Sequence, residues 1–251
     1  MRMTDTAAII TGGASGLGEA TARHFRDQGA QVTILDRDSA RGETIAHEIG
    51  ATFVETDVTD EASVQHAVAT ANAQMGKITA AVNCAGIATG EKTLGKNGPH
   101  DLEAFRRTID INLVGSFNVA RLAAAEIAKN APGPNGERGV IINTASIAAF
   151  DGQKGQAAYA ASKGGIAGLS LPMARDLARD GIRVMAIAPG IFLTPMMQGL
   201  PQDVQDQLAQ DVTFPKRLGD PAEYAELARF IVECDYLNGE VIRLDGALRM
   251  Q

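Results

Sequence analysis

Short apolar runs alternate along this chain with longer stretches of helical periodicity, and that alternation constrains the fold more than any other feature. The runs are Ala7–Ile10, Gln31–Leu35, Thr52–Glu55, Ala80–Asn83, Val140–Asn143, Arg183–Ile187 and Val241–Leu244. Rich in Val, Ile and Ala and mostly lacking polar alternation, they suit strands covered on both faces. Between them the pattern predicts helices over Leu17–Gln28, Ala40–Ile49, Ala62–Met75, Leu102–Ala128, Ala157–Ala178, Pro201–Ala209 and Pro221–Val232. That rhythm implies parallel strands joined by right-handed crossovers, a doubly wound α/β sheet of about seven strands.

No Pro/Ser-rich linker divides the chain and no internal repeat is visible, so residues 1–251 are expected to form a single domain. Three segments break the rhythm. Gly86–His100 is a polar, glycine-rich loop, and Asn130–Gly139, with its prolines and glycines, is a surface turn. The long irregular stretch Ile191–Leu218 suits a lid over a site, with an apolar set of Phe192, Leu193, Met196, Met197, Leu200 and Phe214.

Composition narrows the function classes. Lys plus Arg is 23 against Asp plus Glu 30, a net charge of −7, which makes a general nucleic-acid binder unlike this chain. Cys84 and Cys234 stand far apart with no metal-ligand spacing, so no metal site is expected and a reducing compartment is. No apolar run approaches the roughly 20 residues that span a bilayer. With no signal-like apolar segment ahead of the first strand, the expectation is a cytoplasmic protein.

Thr11-Gly12-Gly13-Ala14-Ser15-Gly16-Leu17-Gly18 joins the first strand to the first helix. Glycines at 12, 16 and 18 let the chain turn tightly and let a pyrophosphate approach bare backbone. The helix start offers free amides and a positive dipole end to phosphates, as in Rossmann-type folds. Asp36, 18 residues after Gly18, ends the second strand, where a carboxylate binds ribose hydroxyls and repels a 2′-phosphate. It could equally cap the helix starting near Ser39, and Arg37 beside it could favour a phosphate, so NAD is expected over NADP with that alternative open. Asp57-Val58 closes the third strand, where a carboxylate can meet the adenine amino group. Cys84-Ala85-Gly86 follows the fourth with small side chains, Cys84 reading as a buried small residue. Pro189-Gly190, Phe192 and Thr194 follow the sixth strand and could meet a nicotinamide.

Tyr159 and Lys163 stand four apart, hence on one helix face. A free tyrosine titrates near pH ~10, and a nearby cation favours its phenolate, so the pair could exchange a proton with a substrate hydroxyl. The same spacing also arises on ordinary helices. Its context is more telling: Ser146 lies just past the fifth strand, at the sheet end where ligands bind. Asn112 sits mid-helix, where asparagine is mildly unfavourable.

These motifs, in this order, resemble the short-chain dehydrogenase/reductase family across essentially the whole chain. The resemblance implies that Tyr159 is the catalytic acid/base and that Ser146 orients the substrate oxygen. Lys163 would lower the tyrosine pKa and bind the nicotinamide ribose, and Asn112 would hold a water relaying protons to Lys163. A departure is Cys84, where the family usually has a second asparagine. A narrower likeness, to the type-2 3-hydroxyacyl-CoA dehydrogenase branch, rests on Gly139–Ser146, Gly155–Tyr159, Phe214–Tyr224, Leu237–Gly246 and the long 86–100 loop. It implies NAD-dependent interconversion of (S)-3-hydroxyacyl-CoA and 3-oxoacyl-CoA in a homotetramer, with Gln153 near the substrate carbonyl and Lys92 and Lys96 suited to CoA phosphates. A hydroxysteroid or other apolar secondary alcohol remains an alternative substrate. A cofactor-binding scaffold for a protein or RNA partner is the alternative of another class.

Overall fold

The computed structural model describes residues 1–250, apart from the side chain of Met196, which lies outside the described residues. Seven parallel strands form one sheet: β1 (Ala7–Thr11), β2 (Gln31–Asp36), β3 (Thr52–Glu55), β4 (Ala80–Asn83), β7 (Gly139–Thr144), β8 (Ile182–Pro189) and β9 (Val241–Leu244). Their spatial order is β3-β2-β1-β4-β7-β8-β9. Each expected strand is present, shifted by at most two residues. A small hairpin, β5 (Leu94–Gly95) with β6 (Gly98–Pro99), falls inside the 86–100 loop, which was expected to be irregular.

The missing polar alternation is explained by helices on both faces. Ile9, Ala81, Ile141 and Val184 face α3 (Glu61–Met75), α5 (Ser116–Ile127) and α6 (Ala157–Asp176) in one core. Ile10, Val82, Ile142 and Met185 face α1 (Gly16–Asp27), α2 (Ser39–Ile49) and α9 (Pro221–Glu233) in the other. Every residue of β1, β4, β7 and β8 is buried, whereas the edge strand β9 is half-buried throughout. Asp38, Asp60 and Asp220 start α2, α3 and α9 by accepting first-turn amides.

The expected helix Leu102–Ala128 is broken in two. α4 (Leu102–Ile109) and α5 are joined by a π-helical turn, Asp110–Gly115. Asn112 points inward from that turn, and Gly115 lies so close to Val58 that an added Cβ would come within 2.6 Å of it. Single π turns of this kind concentrate at functional sites. The 191–218 segment holds two short helices, α7 (Pro195–Gln198) and α8 (Gln202–Asp211).

Candidate active site

β1 pairs with β2 on one side and β4 on the other, so the winding reverses at β1/β4 and opens a crevice at their carboxyl ends. Thr11 Oγ1 accepts the backbone N–H groups of Cys84 (3.2 Å) and Ala85 (3.1 Å), drawing the loop after β4 against the glycine turn. Gly12 has φ 65°, and an added Cβ would stand 2.8 Å from the Ala85 nitrogen. At Gly18 the added atom would lie 2.2 Å from the Gly12 carbonyl oxygen, so α1 starts flush against the end of β1 only because residue 18 is bare. Ser15 holds the N-cap position without a side-chain cap bond, which leaves the first amides of α1 open to the crevice.

The crevice encloses about 420 Å³ and brings together most of the residues expected at a dinucleotide: Gly12, Ser15, Gly16, Leu17, Gly18, Asp36, Asp57, Val58, Cys84, Ala85, Gly86 and Thr194. Asp36 is not the cap of α2; that is Asp38. Its Oδ2 instead accepts the Ala14 N–H (3.0 Å) and its Oδ1 that of Asp38 (3.1 Å), which fixes the carboxylate at the rim beside the glycine turn. Arg37 turns away from this position toward Asp57, at 3.6 Å. Burial raises the Asp57 pKa, but two hydrogen bonds from Thr59 and the Arg37 charge outweigh it and hold the carboxyl below its usual range.

Ser146 and Tyr159 line a second cavity, about 270 Å³, at the carboxyl end of β7. The backbone after β7 is extended at Ser146, whose Oγ accepts the Ala148 N–H (3.1 Å), leaving its proton free to be donated. Lys163, one turn beyond Tyr159 on α6, is 5% exposed. Its ammonium donates to the Thr144 carbonyl at 2.7 Å and lies 5.8 Å from the Tyr159 ring centre. Asn112 is fully buried; its Oδ1 accepts the Ile87 N–H (2.8 Å), and its Nδ2 donates to the Ile87 carbonyl (2.9 Å) and to Ser162 Oγ (3.1 Å). Ser162 Oγ donates in turn to the Tyr159 carbonyl at 2.7 Å. An added Cβ on Gly86 would meet Asn112 Oδ1 (3.1 Å) and Lys163 Nζ (3.7 Å), so both polar groups flank the same bare glycine. Asn112 and Lys163 therefore flank a glycine of the first cavity, while Ser146 and Tyr159 line the second.

Three expectations are corrected by the geometry. Burial pushes the Tyr159 phenol up, with only Ser146 pulling the other way, so the lowered tyrosine expected from Lys163 is not seen. The phenol's own burial decides the direction, while the Lys163 ammonium donates to the Thr144 carbonyl and burial lowers its pKa to about 8. Phe192 packs its ring on Gly219 within the core, so its side chain belongs to neither cavity nor lid. Gln153 is exposed and donates its backbone N–H to Gln156 Oε1; Gln156, not Gln153, lines the second cavity. Gly190 lines that cavity too, anchored by its N–H to the Leu244 carbonyl, whereas Pro189 closes β8. Cys84 is a packed thiol beside Thr144 and Tyr224, its pKa raised by burial. Sequence reasoning missed Arg107 and Ile111 in the first cavity and Thr89 and Met250 in the second, while Met197, expected in the lid, lines the second. Ser162 was within reach, because it sits inside the Tyr159–Lys163 segment.

Known proteins share this fold. The short chain dehydrogenase family model matches residues 6–205. The chain is 58% identical over 248 residues to 3-hydroxyacyl-CoA dehydrogenase type-2 of Homo sapiens, covering 97% of this chain and 95% of that protein. A crystal structure of 3-hydroxyacyl-CoA dehydrogenase type-2 from Mycobacterium avium superposes with a TM-score of 0.95 at 46% identity, over 98% of this chain and 96% of that one. The 3-ketoacyl-(acyl-carrier-protein) reductase from Brucella melitensis, solved with NADH, gives 0.86 at 31% identity over 96% and 97% of the two chains. With the glycine turn, the Ser146–Tyr159–Lys163 cluster and this likeness over nearly its full length, the chain belongs to the short-chain dehydrogenase family.

Proposed function

We propose that the protein is an NAD-dependent dehydrogenase that interconverts (S)-3-hydroxyacyl-CoA and 3-oxoacyl-CoA. The observation that carries this reading is the placement of Ser146 and Tyr159 in one cavity, with Lys163 one helical turn beyond Tyr159 and beside Gly86 of the other. The first cavity fits a dinucleotide: its glycine cradle has no room for a Cβ, its helix amides are open, and its rim carboxylate, Asp36, suits a ribose diol better than a phosphate. The bound nicotinamide would supply the hydride acceptor. In alcohol oxidation Tyr159 would take the hydroxyl proton, and Ser146 would donate to the same oxygen as its charge changes. Lys163 and the Asn112–Ser162 bonds would fix the orientation of the tyrosine-bearing turn.

The substrate class is supported by the relatives named 3-hydroxyacyl-CoA dehydrogenase type-2 and by the 86–100 loop. That loop is tied down by the Glu91 N–H on the Gly155 carbonyl (2.8 Å), and its Lys92 and Lys96 are exposed and suited to phosphates. Residues 191–218 would act as a lid, since Thr194 lines the first cavity and Met197 the second. A homotetramer is part of the proposal; Leu102, Val114 and Phe117 leave an exposed apolar surface along α4 and α5 suited to association. No helix among the described residues is long and apolar enough to cross a membrane. Cytoplasmic placement is inferred from the unpaired Cys84 and Cys234. The test compares kcat/KM for acetoacetyl-CoA and for a 17-hydroxysteroid, with NAD(H) and NADP(H) in parallel. A preference for acetoacetyl-CoA with NADH supports the reading, and a preference for the steroid or for NADPH refutes it.

A further inference from the structure

β9 ends at Leu244, and the chain then makes a tight turn back over the sheet. The turn closes by Leu248 N–H to the Asp245 carbonyl (3.0 Å) and Ala247 N–H to Asp245 Oδ1 (2.9 Å). Ala247 has φ 62° and is the one non-glycine residue with positive φ among those described. An alanine keeps that conformation only where its surroundings enforce it, and such enforced strain concentrates at ligand sites.

The Thr213 hydroxyl holds the Ala247 carbonyl (3.0 Å), the Phe214 N–H holds that of Gly246 (3.1 Å), and four charged side chains brace the turn from either side. Arg243 Nε donates to Asp245 Oδ2 (2.7 Å), and Arg249 Nη1 donates to the same oxygen (3.0 Å). Arg243 Nη2 reaches Asp151 Oδ2 (2.5 Å) and the Leu248 carbonyl (3.1 Å), while its guanidinium lies 5.4 Å from the Phe150 ring centre. Asp151 and Phe150 end the turn that begins at Ser146. Gly190 packs on Asp245, where an added Cβ would stand 2.9 Å from the Asp245 Cα. Two walls of the second cavity are thus tied to one cluster, and the segment it holds delivers Met250 to the lining of that cavity, which Met197 also lines.

We propose that the Asp151–Arg243–Asp245–Arg249 cluster makes the C-terminal segment a wall of the substrate cavity, with Met250 as a specificity-determining contact and Arg243 as the residue that positions it. The two thioether side chains offer a soft, apolar surface that adapts to an unbranched acyl chain. This assignment of the ligand rests on the substrate proposed above; the positioning does not.

Steady-state kinetics with acetoacetyl-CoA, NADH binding by fluorescence and amide exchange test the proposal on Met250→Ala, Arg243→Leu and the double variant. Met250→Ala should raise KM roughly tenfold with kcat and the NADH Kd within about twofold. Arg243→Leu should raise KM similarly and speed exchange at 146–151 and 245–250, leaving α1 unchanged. The double variant should be no worse than Arg243→Leu, because both act through one contact. Lysine cannot span two carboxylates in a fork, so Arg243→Lys should restore KM only in part. An unchanged KM in Met250→Ala overturns the specificity role. A matched loss of kcat and NADH binding in Arg243→Leu, or unchanged exchange at 146–151, overturns the positioning role. Should wild-type protein not turn over acetoacetyl-CoA, the substrate reading fails, and the exchange measurement still decides the positioning.

Discussion

Lys163→Met should stabilise the protein at neutral pH while removing its activity. The ammonium is buried with a single hydrogen-bond partner, the Thr144 carbonyl, and burial lowers its pKa from the ordinary lysine value of 10.5 to about 8. Between those values the unfolded chain binds more protons than the folded one, so stability rises with pH across that window. Below about pH 8 the folded state carries the whole cost of the buried cation, about 3 kcal/mol. By pH 9.5 that cost falls to about 1 kcal/mol. Methionine replaces most of the lysine stem without charge, and the Thr144 carbonyl loses a donor worth about 1 kcal/mol. The variant should therefore be more stable than wild type by about 2 kcal/mol at pH 7, with almost no advantage left at pH 9.5. Urea unfolding at the two pH values measures this directly. Destabilisation of equal size at both would refute the reasoning, because it would mean that the lysine is a net structural contact rather than a buried charge kept for function.

Gly18→Ala places a Cβ 2.2 Å from the Gly12 carbonyl oxygen, a backbone atom that cannot rotate away. NADH affinity, read by fluorescence titration, should fall at least about tenfold as the turn shifts, with a stability loss of about 1–3 kcal/mol. Asn112→Ala strips partners from both backbone groups of Ile87 and from Ser162. It should cost about 2–4 kcal/mol in denaturant unfolding and lower kcat more than it raises KM. Arg183, buried on β8, holds Glu137 (2.7 Å) and the carbonyls of Val232 and Leu237. Arg183→Met removes that carboxylate's nearer cation, leaving it the Met1 ammonium at 3.3 Å, and frees two carbonyls; it should lower stability by about 3–5 kcal/mol, visible as a melting temperature lower by about 10 °C.

The sheet was legible because its signal is local: seven runs of Val, Ile and Ala, all but the last followed by a helical pattern and, at β1, by the glycine turn. The site was legible where chemistry demands a residue type at a fixed spacing, as at Gly12, Gly16 and Gly18 or Tyr159 and Lys163. What escaped depends on three-dimensional neighbours. The π turn at 110–115 exists because Asn112 must reach the Ile87 backbone, 25 residues earlier, while Gly115 admits Val58. Phe192 looks like a lid residue by composition, yet Gly219 leaves a slot for its ring in the core. Met250 carries no motif; it lines the cavity because the chain turns back after β9. The direction of the Tyr159 shift could not be read from the lysine spacing alone, because it depends on how deeply the phenol is buried.

The central claim is that Tyr159 moves the proton and contributes little to holding the dinucleotide. Tyr159→Phe keeps the ring and removes only the hydroxyl, so turnover with acetoacetyl-CoA and NADH binding can be measured on the same preparation. The account predicts a loss of kcat of at least about 100-fold with NADH affinity within a few-fold of wild type. Turnover close to wild type in that variant would contradict it.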